Sequence, residues 1–217
     1  MKQQERTPSS AQLLDKACRW RMLSLLLSRP SRERKSEVSE LAREIPDARL
    51  AEVAHAWCDN ATEGAYLQLL GPGGLVPARA GAYRPFADPG WILADLARYH
   101  RAFGFHATAE EPPDHVAVLA DFVSYLLLKE AYARESGALE AVAITRDAME
   151  RFIDEHLSPV AARIAERLDA CGATDWSAAA YLLAEKVPAP RPSAAAPAQD
   201  DEALQCGGCA TARGGQG

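Results

Sequence analysis

Between Val116 and Leu128 the chain sets Val116, Val118, Leu119, Phe122, Val123, Tyr125, Leu126, Leu127 and Leu128 over nearly the whole circumference of a helix. A helix that is apolar most of the way round has to be buried by neighbours on several sides. The stretch from Pro113 to about Arg134 therefore reads as the hub of a bundle, and the rest of the chain has to supply its surroundings.

The flanking sequence has the helical period to do so. Leu13, Ala17, Trp20, Leu23 and Leu27 step by three and four, and Arg29-Pro30 closes that helix. Ser31 caps a second helix through Ile45, which Pro46 stops. Asp47 caps a third, with Leu50, Val53 and Trp57 inward. A short helix from Thr62 to Leu70 runs into the breaker Gly71-Pro72-Gly73-Gly74. Residues 71–90 hold five glycines and four prolines and read as an extended loop. Helix resumes from Trp91 to Phe103, with Gly104 where a C′ glycine belongs.

After the hub, Ala138–Leu157 places Val142, Met149, Phe152 and Ile153 on one face. Ser158-Pro159 reads as a capping serine with proline at the first helical position, opening a helix that turns Val160, Ile164, Leu168 and Cys171 inward. Thr174 opens a last helix, with Trp176, Leu183 and Val187 inward. There is no alternating run of useful length and no solenoid repeat. The expected fold is all-α, a single helical bundle of about eight or nine helices over residues 8–187. Residues 188–217 hold four prolines, five glycines and a single large apolar residue, Leu204, and are expected to be a disordered tail.

Charge narrows the partners. The net charge of −6 disfavours nucleic acid, and no basic recognition helix is present. Residues 1–35 carry nine Lys/Arg against three Asp/Glu, whereas residues 110–155 carry four against eleven. The acidic stretch reads first as a solvated helix face, and second as a surface that attracts a basic peptide. The polar start Met1–Arg6 has no apolar segment behind it, and no run approaches the roughly 18 residues that span a bilayer, so no membrane association is expected. Five scattered cysteines suit a reducing cytoplasm rather than a disulfide scaffold.

No phosphate loop, nucleophile elbow or zinc-protease pair is present. Two segments remain. Cys206-Gly207-Gly208-Cys209 is a C-x-x-C pair that could hold a soft metal, but it has no second pair to complete a structural site. Glu111-Pro112-Pro113-Asp114-His115 sets two carboxylates and an imidazole in a stiff segment before the hub. In the plainest reading, prolines stiffen a loop and acids start a helix.

That second segment, followed by Leu119, Phe122 and Leu126, resembles the Glu-Pro-x-Asp-His hallmark of the TorD/DmsD/NarJ-type redox-enzyme maturation proteins, which are molybdoenzyme-specific chaperones. Tyr66, Leu69, Leu70, Gly71–Gly74, Pro77 and Tyr83 resemble a second element of that family. Arg21–Pro30, Tyr99–Phe105 and Phe152–Pro159 echo three more, so the likeness runs in order over residues 11–187. Departures are Val160, where many relatives carry tryptophan, and Ala80-Gly81-Ala82, where a serine is usual.

The resemblance implies a cytoplasmic chaperone, not an enzyme, acting as monomer or homodimer. Its partner would be the catalytic subunit of a molybdenum oxidoreductase and that subunit's twin-arginine leader, held until the cofactor is inserted. It implies no stably bound cofactor, and at most transient contact with molybdopterin guanine dinucleotide or GTP. Asp114 and His115 would act as a hinge set by Glu111 and Pro112, while Tyr66, Leu69 and Tyr83 would line or support the peptide groove. The competing readings are a metal-dependent helical hydrolase using Glu111, Asp114 and His115, and a metal or sulfur carrier acting through Cys206 and Cys209.

Overall fold

Local capping signals start most of the helices. The computed structural model describes residues 8–84, 87–107 and 111–190. Among them are nine α-helices: α1 (Ser10–Leu26), α2 (Arg32–Glu44), α3 (Ala48–Asn60), α4 (Glu63–Leu69), α5 (Pro89–Phe103), α6 (Val116–Glu135), α7 (Leu139–Phe152), α8 (Ala161–Ala170) and α9 (Thr174–Ala184). Ser9, Ser31, Asp47, Thr62 and Asp88 each accept a backbone N–H of the first turn that would otherwise be unsatisfied. Gly104 ends α5 with φ +67°, a left-handed residue that glycine adopts without Cβ strain. No strand is formed among the described residues, the nearest approach being one antiparallel bridge between Arg79 and His115. None of their helices is long and apolar enough to cross a membrane.

The hub is α6, in which every side chain from Val116 to Ser124 is buried. It packs most extensively on α1, with α7 on another side; α2 lies on α3, α8 on α9, and α3 on α9. Phe122 sits among rings from the neighbouring helices and their connections. Its centroid is 4.7 Å from Phe152, 4.9 Å from His100 and 5.1 Å from Phe105, tilted or edge-on contacts of the favoured kind.

Burial of α6 also takes in polar groups, among them carboxylates that had been expected to face solvent. Asp121 accepts from Arg21 of α1 at 2.7 Å, and the Ser124 hydroxyl donates to the Ala17 carbonyl at 2.8 Å. Glu130, 1% exposed, accepts from Arg146 of α7 at 2.5 Å and from Arg134 at 3.2 Å. The reading of residues 110–155 as a solvated acidic face is thus corrected in part: three of its carboxylates, Asp114, Asp121 and Glu130, are interior.

Three further expectations change. The hub helix starts at Val116 rather than Pro113, and its cap is His115, whose Nδ1 accepts the Ala117 N–H at 3.2 Å. Ser158 does not cap α8. After α7 the chain widens into a π turn over Ile153–Leu157, which leaves Ser158 in helical conformation, so its hydroxyl donates to the Pro188 carbonyl at 2.5 Å instead. Cys171 is exposed, because it falls just past the end of α8. The tail from residue 191 onward, with Cys206 and Cys209, lies outside the described residues.

Removing one partner of a buried ion pair leaves the other uncompensated. Arg146→Ala, which leaves the buried Glu130 carboxylate with the longer Arg134 bond, should therefore lower the unfolding free energy by about 3 kcal/mol in urea titration, against less than about 1 kcal/mol for Asp147→Ala, whose pair with Arg151 is exposed.

Candidate functional site

The glycine-rich breaker is a reversal of the chain. After α4, a Cβ on Gly71 would lie 2.7 Å from the Leu67 carbonyl oxygen, and one on Gly74 would lie 2.6 Å from that of Leu69. Glycine is needed at both because the returning backbone lies directly on the helix it has just left. The return is fixed by Leu75 N–H to the Gln68 carbonyl (2.9 Å) and Val76 N–H to that of Leu69 (2.8 Å). The chain then runs beside the start of α6, with Ala80 N–H on the Asp114 carbonyl and Val116 N–H on that of Ala78, both at 2.9 Å. A 3-10 turn over Ala80–Tyr83 follows, and the Tyr83 hydroxyl closes it by donating to the Pro77 carbonyl at 2.8 Å. Val76, Ala78, Ala80 and Tyr83 are buried, so this loop belongs to the core.

These backbone bonds bring the marked side chains together. Tyr66, 1% exposed, donates its hydroxyl to Glu111 Oε1 at 2.7 Å and lies 3.2 Å from His115 Nε2. Since His115 Nδ1 accepts from Ala117, the proton of the neutral ring belongs on Nε2. The chain of donors then runs His115 to Tyr66 to Glu111. Burial, and then the Glu111 carboxylate, push the Tyr66 phenol far above its usual range, so it remains a donor. Asp114 turns to the other side, where Arg79 Nε donates to its Oδ1 at 2.8 Å. Glu111 and His115 thus share the Tyr66 hydroxyl while Asp114 faces Arg79, so the three do not converge on one point, which counts against the hydrolase reading. The described residues that could converge on a metal ion are Asp95, Glu155 and His156. There Asp95 is already engaged by Arg98 at 2.5 Å and by His156 at 2.9 Å.

One groove opens beside this interlock. It encloses about 390 Å³ between the reversal (Leu70–Gly74), Pro77–Arg79 and Ala82 on one wall and Glu111, Pro112 and His115 on the other. Of the residues expected to line or support a site, Glu111, Pro112 and His115 therefore line it. Tyr66, Leu69, Tyr83 and Asp114 stand behind it as supports. Sequence reasoning missed Arg79, which nothing local distinguishes from any other surface arginine. It also missed the pairing of Asp95 with His156, which are 61 residues apart. The Phe152–Pro159 element was the signal for the latter, since His156 is its buried histidine.

Burial holds His115, His100 and His156 at about 4, below their ordinary 6.5. As pH falls the unfolded chain takes up these protons first. The stability of the neutral rings is complete above the ordinary value and drains as pH falls towards the folded one. The thermal midpoint should drop between about pH 7 and about pH 5. His100→Phe should lessen the drop, because the ring at that position packs on Phe105 and Phe122 and its Nε2 has no partner. An identical pH profile in the variant would remove His100 from this account.

A family model described as nitrate reductase delta subunit matches residues 84–166. The match spans α5, the Glu111–His115 segment, α6, α7, the π turn and the first part of α8, and begins after Tyr66, the reversal and Tyr83. No curated protein matches the chain.

Proposed function

We propose that the chain is a member of the nitrate reductase delta subunit family, whose model it matches over residues 84–166, that like the TorD/DmsD/NarJ group of redox-enzyme maturation chaperones it is not an enzyme, and that it binds the twin-arginine leader of a molybdenum oxidoreductase catalytic subunit. The binding site is the groove between the glycine reversal and Glu111-Pro112. The chaperone works in the cytoplasm and holds the apo subunit until the molybdopterin guanine dinucleotide cofactor has entered it. The cofactor is the client's, and its contact with this chain is transient.

The observation that carries this reading is the composition of the groove. Such leaders are basic at one end and apolar after it. The groove offers the Glu111 carboxylate, with the Arg79 guanidinium also in its lining, proline and alanine surfaces along it, and Leu75, 69% exposed, in the same loop. Charge at the mouth steers and orients an incoming peptide, while the apolar walls supply contact area. The walls are pinned by backbone hydrogen bonds, so the groove is ready-made and little ordering cost falls on the chaperone side. Glu111, Pro112 and His115 are the contacting residues in this reading. Tyr66, Leu69, Tyr83 and Asp114 keep their positions, so the hinge is a fixed joint.

Ala82 lines the groove, is exposed, and takes no part in the interlock. Ala82→Trp should fill the groove and weaken binding of a fluorescent twin-arginine leader peptide at least about tenfold by anisotropy, with the fold unchanged by circular dichroism. Unchanged affinity would place the leader elsewhere on the protein.

A further inference from the structure

The ion pair at the groove is unequal. The Asp114 side chain is 4% exposed and the Arg79 side chain 49%. A carboxylate at that depth needs a cation, whereas a half-solvated guanidinium loses little when it leaves. Among the described residues Arg79 holds Asp114 through a single bond, Nε to Oδ1, rather than by the two-pronged grip a guanidinium can offer. Its backbone, meanwhile, is clamped on both sides by the Ala78 and Ala80 bonds to the start of α6. The side chain can therefore swing away without the loop moving. Arg79 lines the groove whereas Asp114 stands behind it, so a peptide group meets the carboxylate by taking the place of the Arg79 side chain.

We propose that Arg79 is an internal stand-in for an arginine of the bound peptide. On binding, the peptide's guanidinium displaces Arg79 from Asp114 and takes the carboxylate in a bidentate pair, while Arg79 turns out to solvent. The inference rests on the leader-binding reading above and adds to it the group being recognised. Selectivity follows from the exchange. Arginine, with its planar fork, can replace Arg79 at a profit in hydrogen bonds. A lysine ammonium cannot match that geometry, and a neutral side chain would leave Asp114 buried without a cation. Arg79 thereby acts as a lock on the empty groove, raising the threshold for apolar segments that carry no arginine.

The test uses the full chain and a fluorescein-labelled peptide of two adjacent arginines followed by an apolar run. Two versions with both arginines replaced, by lysine or by glutamine, serve as comparisons. Arg79→Gln should bind the arginine peptide at least about fivefold tighter than wild type, with a smaller gain for the lysine peptide and none for the glutamine peptide. The double variant Arg79→Gln/Asp114→Asn should lose the gain. Arg79→Gln should also melt lower than wild type when empty and be raised further by the arginine peptide. If it does not fold, Arg79→Lys, which keeps a charge on Asp114, should show a partial gain of the same order among peptides. Equal or weaker binding of the arginine peptide overturns the exchange. So does an equal gain for the glutamine peptide, or a gain that survives Asp114→Asn. If wild type binds the arginine peptide but Ala82→Trp does not weaken it, the groove assignment fails. If no form binds any peptide, both fall together.

Discussion

Over Val116–Ser124, and on its inner face beyond, α6 has no solvent to satisfy its polar groups, and it imposes that condition on the rest of the molecule. Each polar residue it carries inward has to be met by a specific partner on a specific neighbour: Asp121 by Arg21, Ser124 by the Ala17 carbonyl, Glu130 by Arg146. The apolar contacts of the core tolerate many arrangements, whereas these pairs tolerate few. They set the position of α1 and α7 along the hub. The backbone bonds at its N-terminal end do the same for the loop over Ala78–Ala80.

That N-terminal end is where the fold turns into a site. The first turn of any helix has N–H groups lacking helical partners. Here His115 supplies one and the Ala78 carbonyl another, so capping of α6 and docking of the loop are one event. The groove is a by-product of the same geometry, since a reversal built on glycine has no side chains to fill the space beside Glu111 and Pro112. A single arrangement therefore ends the hub, buries the loop and leaves an opening.

Electrostatics divide the segment into two halves with different work. On one side His115, Tyr66 and Glu111 form a buried chain of donors that lends rigidity, with the phenol and the neutral imidazole both held in their uncharged forms by burial. On the other, Asp114 keeps its partner Arg79 at the protein surface. The first is structural and the second is exposed to exchange, although their residues are adjacent in sequence.

The all-α class, most helix positions and the burial of the hub could be read from residue order, because hydrophobic period and capping residues act within a few residues of one another. Ser31, Asp47 and Thr62 are such cases. Glu111-Pro112-Pro113-Asp114-His115 was also visible as a stiff, chemically dense segment. Its chemistry was not, because the partners Tyr66 and Arg79 lie 45 and 35 residues from Glu111 and Asp114 and meet them only when the reversal docks. For the same reason Ser158, an ideal cap by sequence, is used elsewhere, and Asp121 and Glu130 are interior although they sit in an acidic run. Sequence by itself determined what is local: helices, breaks and the order of motifs. Tertiary structure alone decided which polar groups are buried and what faces them, because those outcomes depend on contacts between segments that sequence order holds far apart.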